Sequence, residues 1–119
     1  MSNRMLPRAA GGGTPSSPTP TAETQPAGAT LTKETVTNTV AVVLAVANAA
    51  RKGLILWNDG PADLLVSFGG TASATDFSIK IPGGASGNFY ELKFPVYTGS
   101  ISGILAALGS QTVRVTEFT

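Results

Sequence analysis

The chain contains neither cysteine nor histidine among its 119 residues. Without thiols there are no disulfides and no thiolate nucleophile. Without imidazole the usual zinc sites and the commonest general base are excluded too. The lack of cysteine leaves the redox compartment open. Charge is also scarce: Asp, Glu, Lys and Arg make up 13% of the chain, against roughly 25% in an average soluble domain. Eight basic and seven acidic residues leave a formal net charge of +1, which gives no field to collect nucleic acid or acidic lipid. Neither nucleic acid nor membrane is therefore expected as a partner. Long apolar runs are missing as well. The most hydrophobic stretch, Val40 to Ala50, contains Asn48 and is followed by Arg51; it falls far short of the roughly 20 residues needed to cross a bilayer. Met1 to Ala10 holds Arg4 and Arg8 but no apolar core, which speaks against a signal peptide.

What the chain does contain divides near residue 30. Residues 1–30 carry Gly11-Gly12-Gly13 and Pro7, Pro15, Pro18, Pro20 and Pro26 among Ser, Thr and Ala. Their large apolar side chains are Met1, Met5 and Leu6, too few to offset the entropy of ordering the segment. This predicts a flexible or polyproline-like arm that takes its order from a partner molecule, with Arg4, Met5, Leu6 and Arg8 as its candidate partner-binding residues.

Residues 31–119 read as strands. Leu31 to Thr39 is rich in β-branched Thr and Val. Val40 to Ala50 predicts a strand that ends in a loop at Asn48. Leu54 to Trp57, bounded by Gly53 and Gly60, predicts a strand buried on both faces. Asn58 to Pro61 predicts a turn, and Leu64 to Phe68 a second strand pairing back on the first as a β-hairpin, with Leu64, Val66 and Phe68 on one face. Asp76 to Ile81 alternates, with Phe77, Ile79 and Ile81 on one side. Pro82 to Gly87 predicts a turn and Asn88 to Phe94 a strand. Ser100 to Leu108, broken by Gly103, fits a bulged strand or a single helical turn. Thr112 to Phe118 closes the chain, with Val113 and Val115 opposite Arg114 and Thr116. The expectation is an all-β fold: an antiparallel β-sandwich, or jelly-roll, of about seven or eight short strands, preceded by the extended arm. A core this small buries only about 60–65% of the unfolded surface, so association would add burial that the domain lacks alone. The sparse charge fits the same expectation, a surface buried in an assembly.

Chemistry-bearing patterns are few. Gly83, Gly84 and Gly87 lack the Lys-Ser or Lys-Thr of a phosphate loop and read as a turn. Asp59, Asp63 and Asp76 are the candidates for a calcium cage or a carboxylate pair, but each sits in turn-like sequence, where carboxylates bond local amides. No catalytic, metal-binding or cofactor-binding residue is assigned. Trp57, Tyr90 and Tyr97 are candidates for a sugar-stacking platform. Trp57 reads as core, and Tyr97 as the possible surface aromatic. Arg51, Lys52, Arg114 and Glu117 read as rim charges pairing across strands.

Arg51-Lys52-Gly53-Leu54-Ile55-Leu56-Trp57-Asn58, Val66-Ser67-Phe68-Gly69, Pro82-Gly83-Gly84, Tyr97-Thr98-Gly99-Ser100-Ile101 and Val113-Arg114-Val115-Thr116-Glu117 together resemble small β-sandwich proteins of tailed-bacteriophage virions. The resemblance covers about residues 36–118 and leaves the arm unmatched. It implies a structural, non-enzymatic role as a capsid decoration or cement protein on the outer surface of the head. The major capsid protein or other virion subunits would be partners, and the chain a homo-oligomer, with a trimer favoured. The alternatives are a neck, tail or head-fibre component, or a carbohydrate- or receptor-binding module. No catalytic residue carries over from the resemblance.

Overall fold

The computed structural model describes residues 25–119; Arg4, Met5, Leu6 and Arg8 lie outside them. Eight strands form: β1 (Ala29–Thr37), β2 (Val42–Ala45), β3 (Gly53–Asp59), β4 (Leu64–Phe68), β5 (Ile79–Ile81), β6 (Asn88–Glu91), β7 (Ile101–Leu105) and β8 (Ser110–Phe118). They build two four-stranded antiparallel sheets, ordered β1-β8-β3-β6 and β2-β7-β4-β5. The pairs β1–β8, β2–β7, β3–β6 and β4–β5 are nested, so the first half of the sandwich lies antiparallel to the second, like one long hairpin bent at residues 69–78. Rolling that hairpin brings β3 against β8 and β4 against β7, and these two contacts close the sheets. This is the jelly-roll topology.

The period of two along each strand explains the core. Leu54 and Leu56 of β3 point inward beside Val113 and Val115 of β8, and meet Leu64, Val66, Ile101 and Leu105 from the second sheet. Within the second sheet, Gly103 of β7 makes room for side chains of the strands on either side of it: a Cβ there would stand 2.8 Å from Leu44 Cδ1 of β2 and 3.3 Å from Leu64 Cδ1 of β4. The outer face of the second sheet is covered in part by residues 69–76. Ala72 packs on Leu65 and Ile104 there, and its N–H donates to Ser102 Oγ at 2.9 Å. That cover is why every residue of β7 is buried.

Several expectations change. β3 and β4 do not form a hairpin; they lie in different sheets, and residues 60–63 cross from one to the other. Asn58 is not a turn residue but the buried end of β3. Its Nδ2 donates to the carbonyls of Ala62, Ile81 and Pro82 at 2.9, 3.1 and 3.2 Å. Gln111 Nε2 donates to Asn58 Oδ1, and Gln111 Oε1 accepts the Ala62 N–H at 3.1 Å. These bonds give the crossing backbone the partners that a hairpin ladder would have supplied. β3 is also buried on one face only, since Ile55 and Trp57 point outward. The fifth strand is confined to Ile79–Ile81 because a tight turn, with Ser73 N–H donating to the Asp76 carbonyl at 2.9 Å, holds the residues before it. Phe77 is left exposed. The sixth strand ends at Glu91, although the Leu92 N–H still reaches the Leu54 carbonyl at 2.9 Å. Between the two readings of Ser100 to Leu108, the strand forms, as Ile101–Leu105, with a turn after it.

Candidate functional site

The sandwich is open along one edge. β1 is the outermost strand of the first sheet and β2 of the second, so both present unpaired backbone there. Positions 30, 32, 34 and 36 of β1 all face the other sheet, yet only Val36 is sealed; Thr30 and Thr32 are exposed and Glu34 half-buried. The cause is length: β2 has four residues against nine in β1 and cannot cover the beginning of its neighbour. A cleft of about 210 Å³ results. One wall carries Thr30, Thr32 and Glu34, the other Val43, Leu44 and Val46, and Val115 and Glu117 of β8 also line it. Val43 and Val46 in its wall are 50 and 71% exposed, and along the same edge Val40, between β1 and β2, and Leu31, on the outer face of β1, are 68 and 60% exposed. Exposed aliphatic groups clustered at unpaired strand edges mark an interaction surface.

Arg51 holds this cleft in shape, and it is not the rim charge its sequence position suggests. Its side chain is fully buried. Nε donates to Glu117 Oε2 at 2.6 Å, Nη1 to the carbonyls of Tyr97 and Gly99 at 2.8 and 3.0 Å, and Nη2 to the Val46 carbonyl at 2.6 Å. One guanidinium thus ties the end of β2, the segment before β7 and the end of β8. The planar five-donor geometry of arginine suits several acceptors at once, where lysine offers a single point. Arg114 does pair near the surface, with Asp59, and Lys52 Nζ reaches the Thr119 carbonyl at 3.1 Å.

The three aromatic candidates do not form one platform. Trp57 stands on the outer face of the first sheet instead of in the core, parallel to its cross-strand partner Phe89 with ring centroids 6.0 Å apart. Gly87, at φ 76°, leaves room for that indole, because a Cβ there would lie 2.8 Å from Trp57 Cζ2. Tyr97 is 38% exposed at one end of the sandwich. Its ring meets Phe68 edge-on at 5.8 Å, and Tyr90 lies 6.2 Å from the same Phe68. Tyr90 and Tyr97 therefore share a cleft of about 140 Å³ with Leu92, Lys93 and Pro95, away from Trp57.

The acidic candidates are also separate. Asp59 binds Arg114, Asp63 Oδ1 accepts the Gly83 N–H at 2.9 Å, and the Asp76 N–H donates to Ser73 Oγ at 3.0 Å, so Ser73 is the capping residue and not Asp76. Among the described residues no group of three or more His, Cys, Asp or Glu is placed to hold a metal ion. The cleft residues on β1 went unassigned in the sequence reading, although a signal was present. Counting back by twos from Val36 puts Glu34, Thr32 and Thr30 on the core side, and polar residues there indicate a core that stops short. Comparison with protein-family models, curated proteins and solved structures finds no match for this chain.

Proposed function

We propose that the chain is a structural subunit of a tailed-bacteriophage virion, a capsid decoration or cement protein on the outer surface of the head. It binds neighbouring major capsid subunits and assembles as a homo-oligomer, with a trimer favoured. The observation that carries this reading is the open β1–β2 edge, where two edge strands and the segments beside them leave Leu31, Val40, Val43 and Val46 exposed. A surface of this kind gains by being covered, and the low charge of the whole chain keeps the desolvation cost of association small. The resemblance over residues 36–118 supports the same reading. The jelly-roll itself adds little weight, since one fold hosts many functions. Mechanically, a protein that binds only the assembled shell stabilises it by linkage, and repeated tethered contacts multiply weak affinities.

The test is co-sedimentation of the full chain with heads produced by the phage that encodes it, prepared without this protein. The expected result is binding that saturates at a fixed ratio to the capsid subunit. A chain that neither sediments with heads nor occurs in purified particles refutes the proposal. A few copies per particle would instead assign it to the neck, tail or a head fibre. A second reading, recognition of a carbohydrate, is favoured by the shared Tyr90–Tyr97 cleft. It predicts glycan-array binding that Tyr97→Ala abolishes.

A further inference from the structure

We propose that the cleft between β1 and β2 receives residues 4–8, Arg4-Met5-Leu6-Pro7-Arg8, of a second copy of this chain, so that subunits exchange their N-terminal segments. The proposal deepens the assembly reading by naming the surface through which copies join.

The chemistry of the two parts matches. The cleft sets an apolar wall, Val43, Leu44 and Val46, against a wall of hydroxyls and a carboxylate, Thr30, Thr32 and Glu34. Glu117 is already engaged by Arg51, whereas Glu34 has no cationic partner among the described residues. An occupant should therefore bring apolar side chains together with at least one cation. Residues 1–8 provide Met1, Met5 and Leu6 beside Arg4 and Arg8, while residues 9–24 contain only Ala, Gly, Thr, Pro, Ser and Glu23. The capacity to fill this cleft is thus concentrated in the first eight residues of the segment that lies outside the described structure. The unpaired edges of β1 and β2 offer backbone donors and acceptors to an extended chain, the mode of strand addition.

Direction and reach favour a neighbour. The Ala27 N–H donates to the Thr119 carbonyl at 3.2 Å, and the Thr119 N–H donates to the Gly28 carbonyl at 3.0 Å. The chain therefore continues β1 backward past its start, while the cleft lies beside Thr30 to Glu34, in the other direction. Filling its own cleft requires a full reversal. The residues between Arg8 and Ala29 span up to ~70 Å when extended, enough to reach the cleft of an adjacent copy. A folded domain of this size is only about 30 Å across.

The absence of native cysteine makes the test direct. Full-length Leu6→Cys and full-length Val43→Cys, the second with a different mass tag, are mixed and oxidised mildly. The expected product is a 6–43 cross-linked heterodimer, identified by mass spectrometry, in at least tenfold excess over the 6–6 and 43–43 species. Yield should fall at least severalfold in 1 M salt and when Glu34→Lys is added to the Val43→Cys chain. Unchanged Trp57 emission of each variant establishes that it is folded. No heterodimer from the mixture overturns the proposal, and so does a Leu6→Cys/Val43→Cys double variant that cross-links only within its own chain. Head binding, measured with the same proteins, separates the two readings. Binding without any 6–43 cross-link overturns segment exchange and leaves the decoration role standing; cross-linking without head binding does the reverse.

Discussion

Replacing Arg51 with methionine should cost this small domain a large share of its stability. Arg51→Met keeps much of the buried hydrocarbon and removes the guanidinium, leaving the Glu117 carboxylate and the carbonyls of Val46, Tyr97 and Gly99 without their donors. Breaking a buried ion pair from one side costs about 3–5 kcal/mol, because the remaining charge stays in a poorly solvated place. The Glu117 side chain is 22% exposed and Arg51 is at 0%, so water reaches the orphaned carboxylate in part. That argues for the lower end, about 3 kcal/mol. For a domain of this size about 1 kcal/mol moves Tm by roughly 4–8 °C, so a fall of about 12–24 °C is expected. Urea unfolding followed by the emission of Trp57, at one fixed protein concentration, measures the change directly. Adding Glu117→Gln to Arg51→Met should restore at least ~1 kcal/mol, because the double variant strands no charge. A loss below ~1 kcal/mol for Arg51→Met, or no recovery in the double variant, would show that Arg51 does not hold the sandwich together.

Further outcomes follow from other contacts. Asn58→Leu takes the side-chain donor from the Ile81 carbonyl and the acceptor from Gln111 Nε2, while the Ala62 and Pro82 carbonyls keep Gln111 Nε2 and Asn88 Nδ2, and should cost about 1–3 kcal/mol in the same denaturation assay. Gly83→Ala should cost more than Gly103→Ala: the new methyl group would lie 2.1 Å from the Pro61 carbonyl oxygen in the first case, but 2.8 Å from the end of the adaptable Leu44 side chain in the second. The expected losses are ~2 kcal/mol or more against ~1 kcal/mol, and the reverse order would count against both packing assignments. Phe89→Ala removes the ring beside Trp57 and should cost about 0.5–1.5 kcal/mol while shifting Trp57 emission to the red. An unshifted spectrum would mean that the pair does not persist in solution.

Much of the fold was legible because it follows from a period of two. Leu64, Val66 and Phe68 were expected on one face, and Val113 and Val115 opposite Arg114; both alternations occur. The same period, carried one step further, places Asn58 in line with Leu54 and Leu56, and Gln111 in line with Val113. Their polarity pointed to a turn and a surface instead. Polar residues at core positions are read correctly only once their partners are known, and all of those partners except the Ala62 carbonyl bound by Asn58 lie 23 to 53 positions away. Arg51 was misplaced for the same reason: its acceptors at 46, 97, 99 and 117 converge only after the sheets have rolled.

By itself, then, the sequence determined local matters: that the domain is built of short strands, which side chains of most strands turn inward, where several turns interrupt them, and that thiol and imidazole chemistry are excluded. Pairing was decided at the tertiary level. Every ladder except β4–β5 joins strands at least two apart in chain order, so no local signal could show that β3 and β4 separate into different sheets. The candidate site arises at that level as well, because a four-residue β2 facing a nine-residue β1 leaves a cleft that exists only when the two sheets are face to face.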